Sequence, residues 1–137
     1  MPVERFSPDD PREWLNRARS NLARARSGAT IPEVYLEDLC FDAQQAAEKA
    51  LKAVLIHLDV SFPYVHDLAR LLTLVKQAGQ EVPASVRQAA RLTRYAVVIR
   101  YPGLPEPVVR GEYEEAVSMA AEAIRWAEEI IGIENEG

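Results

Sequence analysis

The sequence predicts an all-α fold, an antiparallel bundle of four or five helices. Three observations carry that expectation. Apolar residues recur at intervals of three and four along most of the chain, as one face of an α-helix requires, and no convincing strand alternation appears. Prolines and glycines fall between these periodic runs, where they end helices. The links between runs are short, so consecutive helices must turn back on one another.

The first helix starts near Asp10, an N-cap residue, with Pro11 in the first turn and Glu13 placed to complete a capping box. It carries Trp14, Leu15, Ala18, Leu22 and Ala25, and ends at Ser27-Gly28, where glycine suits a C-terminal cap. A second helix follows Pro32 and runs to about Asp59. Its stripe of Leu39, Cys40, Ala43, Ala46, Ala47, Ala50, Leu51, Val54 and Leu55 has the pattern of a bundle helix. After a turn at "SFPYVHDL", a third helix begins at His66 or Asp67, carries Leu68, Leu71, Leu72 and Val75, and stops at Gly79. A fourth runs from about Ala84 to Ile99 or Arg100, with Ala89, Leu92, Ala96 and Ile99 inward. Pro102, Pro105 and Pro107 in "YPGLPEP" cannot continue it and favour an extended loop. The last helix spans about Gly111 to Ile131 and buries Tyr113, Val117, Ala120, Ala121, Ile124 and Ala127. Residues 10–131 therefore read as one domain, with a flexible N-terminus at 1–9 and a frayed tail at 132–137.

Composition narrows the class. A chain of 137 residues, 48% hydrophobic and 27% charged, is the size of one domain and can bury a core. A net charge of −5 argues against a dedicated DNA coat. The single cysteine, Cys40, excludes a disulfide framework and a cysteine zinc site, and fits a reducing cytoplasm. The opening "MPVERFSPDD" is no signal peptide, and no run reaches the length of a membrane span. The expected location is cytoplasmic. Charge is uneven: residues 12–26 hold five arginines and one acid, residues 70–100 six basic residues and one acid, and residues 106–136 nine acids and two arginines. Either these are solvated helix faces, or they form opposed surfaces that pair with a partner.

Few residues offer chemistry. Gln45, Lys49 and Lys52 fall at i, i+4 and i+7 beside the apolar seam of the second helix, where they could hold a phosphate or only lay their stems on apolar surface. His66, after the proline turn, is either a helix cap or a hydrogen-bonding group at a helix start. His57 reads as structural, and two histidines so far apart make no metal site. Arg94, Tyr95, Arg100 and Tyr101 border the proline loop and could form a cationic, aromatic mouth for a phosphate and a base. Arg87, Arg91 and Arg94 extend a basic stripe. Cys40 lies in the core stripe, where thiols are inert. No Gly-x-Gly-x-x-Gly or Walker-type loop is present, and no cofactor is expected.

The segments "CFDAQQAAEKALKAVLI", "PYVHDLARLL" and "RLTRYAVVIRYPG", in that order, resemble prokaryotic HEPN domains. Trp14-Leu15 and "EEAVSMAAEAIRWA" extend the resemblance over about residues 10–131. It implies a helical bundle, a homodimer, and a groove for a nucleotide or RNA segment around Gln45, Lys49, His66, Arg100 and Tyr101. It also implies partnership with a minimal nucleotidyltransferase in a toxin–antitoxin-like pair. The small residues Ala43, Ala46, Ala47 and Ala50 and the opposed charged faces would suit close pairing of two copies. Nuclease members carry an arginine followed at short distance by a histidine. Arg100 is followed instead by "YPGLPEPVV", so the metal-independent ribonuclease mechanism lacks its acid or base here. The alternatives are a ribonuclease toxin using Arg100 with His66, or a purely structural helical adaptor.

Overall fold

The computed structural model describes residues 3–96 and 107–132. Their regular structure is helical throughout, without a strand among the described residues. The order is α1 (Pro11–Gly28), α2 (Leu36–His57), α3 (Leu68–Gln77), α4 (Ala84–Arg87), a 3₁₀ stretch (Gln88–Ala96) and α5 (Arg110–Ile131). The all-α bundle expected from the sequence is the fold observed. Residues 97–106, and with them Ile99, Arg100, Tyr101, Pro102 and Pro105, lie outside the described residues, as does the tail from residue 133.

Local chemistry starts each helix, with some changes from expectation. Asp10 caps α1 by accepting from the Arg12 amide at 2.9 Å. Glu13 does not complete a capping box. It accepts from the Phe6 amide at 2.9 Å and from Arg17 at 2.9 Å, which ties the preceding segment down. Trp14 Nε1 and Asn16 Nδ2 donate to the Pro8 and Glu4 carbonyls and fasten the same segment. Gly28 does not act as a left-handed cap, since α1 runs through it and is capped by Ala29 in right-handed geometry. A β-carbon there would lie 2.4 Å from Leu39 Cδ2, so glycine serves the close approach of α1 to α2. The second helix starts at Leu36, four residues past Pro32, and its exit turns through Asp59 at a φ of 59°. The cap of α3 is Asp67, which accepts from Ala69 N at 3.0 Å and leaves His66 free for another role.

The fourth helix departs most from expectation. After a single turn it tightens into the 3₁₀ stretch. Val86, Ala89, Leu92 and Tyr95 recur every three residues and are all buried. A helix of three residues per turn keeps them on one edge, whereas 3.6 residues per turn would rotate them apart. The other two edges then separate the arginines. Arg91 and Arg94 pair with Glu115 at 2.7 Å and Glu112 at 3.8 Å on α5, while Arg87 shares an edge with Ala90 and Thr93 toward α3. The expected continuous stripe of Arg87, Arg91 and Arg94 does not form.

The central helix is α2, which packs against α1, α3, the 3₁₀ stretch and α5. Ala43, Ala46, Ala47, Ala50 and Ala53 are fully buried, so their small side chains bring neighbouring helices of the same chain close. They cannot form the pairing surface between two copies that the sequence suggested. Nor do the basic and acidic runs stand as opposed faces: Arg19 meets Glu128, and the 3₁₀ arginines meet α5, within one chain. Tyr113 donates to the buried Ala25 carbonyl at 2.6 Å and locks α5 to α1. Trp126 joins the core, and Trp14, grouped with the core in sequence, packs edge-on against Phe62 at its margin. No helix of the described residues is long and apolar enough to cross a membrane.

Candidate functional site

Two polar clusters flank the middle of α2. The first is built around Glu48, which lies on the flank of the apolar stripe and is buried where the α2–α3 connection folds over it. Its Oε2 accepts from Lys52 Nζ at 2.8 Å, and its Oε1 accepts from Gln44 Nε2 at 2.9 Å and meets His66 Nδ1 at 2.9 Å. Gln45 Nε2 donates to Gln44 Oε1 at 2.7 Å, which joins it to the same network. Burial alone would raise the Glu48 pKa, but the hydrogen bonds from Lys52, His66 and Gln44 outweigh it, and the net shift is downward. Glu48 is thus held as a carboxylate. Lys52 does not reach water as a long surface lysine would: its side chain is 8% exposed, and its ammonium lies 5.5 Å from the Phe62 ring centre, 5.9 Å from Tyr64 and 6.0 Å from Trp14. A carboxylate oxygen can only accept, so a neutral His66 carries its proton on Nδ1 and turns Nε2 away from Glu48. The His66 side chain is 60% exposed, and Tyr64 beside it is fully exposed.

The second cluster sits in the α1–α2 seam. Lys49 Nζ donates to Asn21 Oδ1 at 2.6 Å, Asn21 Nδ2 donates to Asp42 Oδ1 at 3.1 Å, and Arg24 donates to the same oxygen at 2.6 Å. Lys49 has no carboxylate within ion-pair distance among the described residues. Burial lowers its pKa, and the charges of Arg17 and Arg24 push the same way against Glu48 and Asp42. Half-buried, this cation is held by a neutral amide.

Gln45, Lys52 and His66 therefore meet through Glu48, and Lys49 turns toward α1. Arg94 belongs to neither cluster. It pairs with Glu112, which also accepts from the buried Tyr95 hydroxyl, so the described part of the expected mouth is closed by an acid. Arg100 and Tyr101 fall outside the described residues. Sequence reasoning passed over Arg17, Asn21 and Arg24, whose only signal was a polar face at i, i+4 and i+7 on α1. Burial pushes the Cys40 thiol up to about 12, which leaves it a poor nucleophile. Among the described residues, no group of three or more His, Cys, Asp or Glu is placed to hold a metal ion.

Residues 11–131 match the HEPN domain family. The chain belongs to the HEPN family. A crystal structure of an archaeal HEPN homologue is similar to it, with a TM-score of 0.70 and 26% identity over 89% of this chain and 98% of that one. No curated protein matches the chain. Within this HEPN fold, both polar clusters hang on α2, from the segment that first suggested the family.

Proposed function

We propose that this HEPN protein binds a nucleotide or a short RNA segment along the α1–α2 face, as the partner of a small nucleotidyltransferase in a toxin–antitoxin-like pair. The observation that carries the proposal is Lys49, a half-buried ammonium without a carboxylate partner among the described residues, flanked by Arg17 and Arg24. A phosphate would supply the missing negative charge, and lysine takes phosphate as a point charge. Exposed Tyr64 offers a ring for a base to stack on, and stacking tolerates any base. Family membership supports the transferase partner, which would contribute the metal and the transfer chemistry.

Isothermal titration with ATP and with a short RNA tests this. Lys49→Ala is expected to lose a charge-assisted contact of about 1.5–3 kcal/mol, a fall in affinity of tenfold or more. Binding should also weaken with salt, since exposed charges are screened over about 8 Å at physiological strength. If wild type and variant bind alike, or neither binds, the phosphate reading fails. A second reading, a ribonuclease, draws on one observation: Glu48 orients His66 with Nε2 outward, as a general base requires. RNA recovered cut from the wild type but intact from His66→Ala would favour that reading over the first.

The proposal extends to a homodimer, supported by family membership. Light scattering is expected to return about twice the 15.3 kDa chain mass at micromolar concentration. A mass that stays at one chain across that range rejects the dimer.

A further inference from the structure

A concavity of about 500 Å³ opens between α3 and the α4–3₁₀ segment and shares no lining residue with either polar cluster. Its apolar lining is Ala69 and Leu72 of α3, Val82 of the connection, and Ala90 of the 3₁₀ stretch. The size is that of a small-molecule site, commonly about 300–1,000 Å³ with mostly apolar walls and a few polar groups. Two cations stand on this lining, Lys76 and Arg87. Neither has a carboxylate within ion-pair distance among the described residues, in contrast to Arg91 and Arg94 on the next edge of the same segment. The three-residue register of that segment is what turns Arg87 toward the groove and away from the acids of α5. Arg87 is also positioned, since one of its nitrogens donates to the Val82 carbonyl at 2.9 Å and leaves its other N–H groups available. Glu81, on the same lining, is the only acid there among the described residues.

We infer that this groove binds a small monoanion with an apolar body, of the medium-chain carboxylate class. The apolar lining takes the body and the two cations take the carboxylate. Glu81 repels a second negative charge, which disfavours phosphates and nucleotides and separates this site from the α1–α2 face.

Decanoate is the probe, with decylamine as its charge-reversed counterpart, in titration calorimetry on the full chain. Decanoate is expected to bind at submillimolar concentration and decylamine far more weakly. The double variant Lys76→Ala/Arg87→Ala, whose sites are exposed and whose folding is checked by circular dichroism, should weaken decanoate about fivefold. Excess ATP should leave decanoate binding unchanged. Four results would overturn the inference: equal binding of decylamine, an unaffected double variant, displacement of decanoate by ATP, or no decanoate binding into the millimolar range.

Discussion

Replacing Glu48 by alanine is expected to destabilise the protein by about 3–5 kcal/mol, because it strands the Lys52 ammonium in a site with almost no access to water. The two side chains are 5% and 8% exposed, so solvent cannot take over the lost partner. Gln44 and His66 lose an acceptor in the same step. In thermal unfolding the fall in Tm should be roughly 10–20 °C. Replacing both members, Glu48→Leu with Lys52→Met, should recover most of the loss, since a buried ion pair exchanged for apolar groups of similar volume is close to neutral. A cost below about 1 kcal/mol for the single change would show that the pair is not sealed as described. The same carboxylate sets a pH dependence. Its folded pKa is depressed below the ordinary 4.5, so its contribution is complete above that value and is lost as pH falls through the lower folded value. Acid unfolding of wild type should therefore steepen below pH 4.5, and the double variant should lack that component.

Leu51→Ala is expected to cost about 4 kcal/mol, toward the upper end of the range for such truncations. Leu51 is fully buried on α2, and Ala47 and Ala50 beside it have no side-chain rotamers with which to fill a hole. The cavity would persist, and its cost adds to the lost transfer energy. Leu58, partly buried at the exit of the same helix, can be truncated for about 1 kcal/mol, because water and the neighbouring turn can move in. Chemical denaturation of the two variants makes the comparison. Equal losses would mean that the alanine-lined core collapses around the gap.

Much of the fold was legible because it rests on interactions within a turn or two. The Asp10 cap, the apolar stripe of α2 and the stops around Gly79 each depend on neighbours two to four residues away, and each stands in the structure. The 3₁₀ stretch was not legible. Ala89, Leu92 and Ala96 fit a period of 3.6, while Val86, Ala89, Leu92 and Tyr95 fit a period of three, and the chain alone does not rank the two. Packing against α2, α3 and α5 selects the second, because it buries Tyr95 and sends the arginines to different neighbours.

The candidate residues divide along the same line. Gln45, Lys49 and Lys52 announced themselves as polar groups beside an apolar stripe, and His66 as a polar group after a proline turn at a helix start. That Glu48 joins three of them, while Lys49 turns to Asn21, followed only from the tertiary structure. Glu48 and His66 are eighteen positions apart, and Lys49 and Asn21 twenty-eight. Such pairs depend on how far one helix slides along another, and that register is set by the buried alanines of α2 and the close approach at Gly28. By itself, then, the sequence determined which segments are helical, where most of them begin and end, and which residues could carry charge. Which charges meet across helices was decided by the packed core, since a shift of one helical turn, about 5.4 Å, would give Arg19, Arg24, Arg91 and Arg94 different partners.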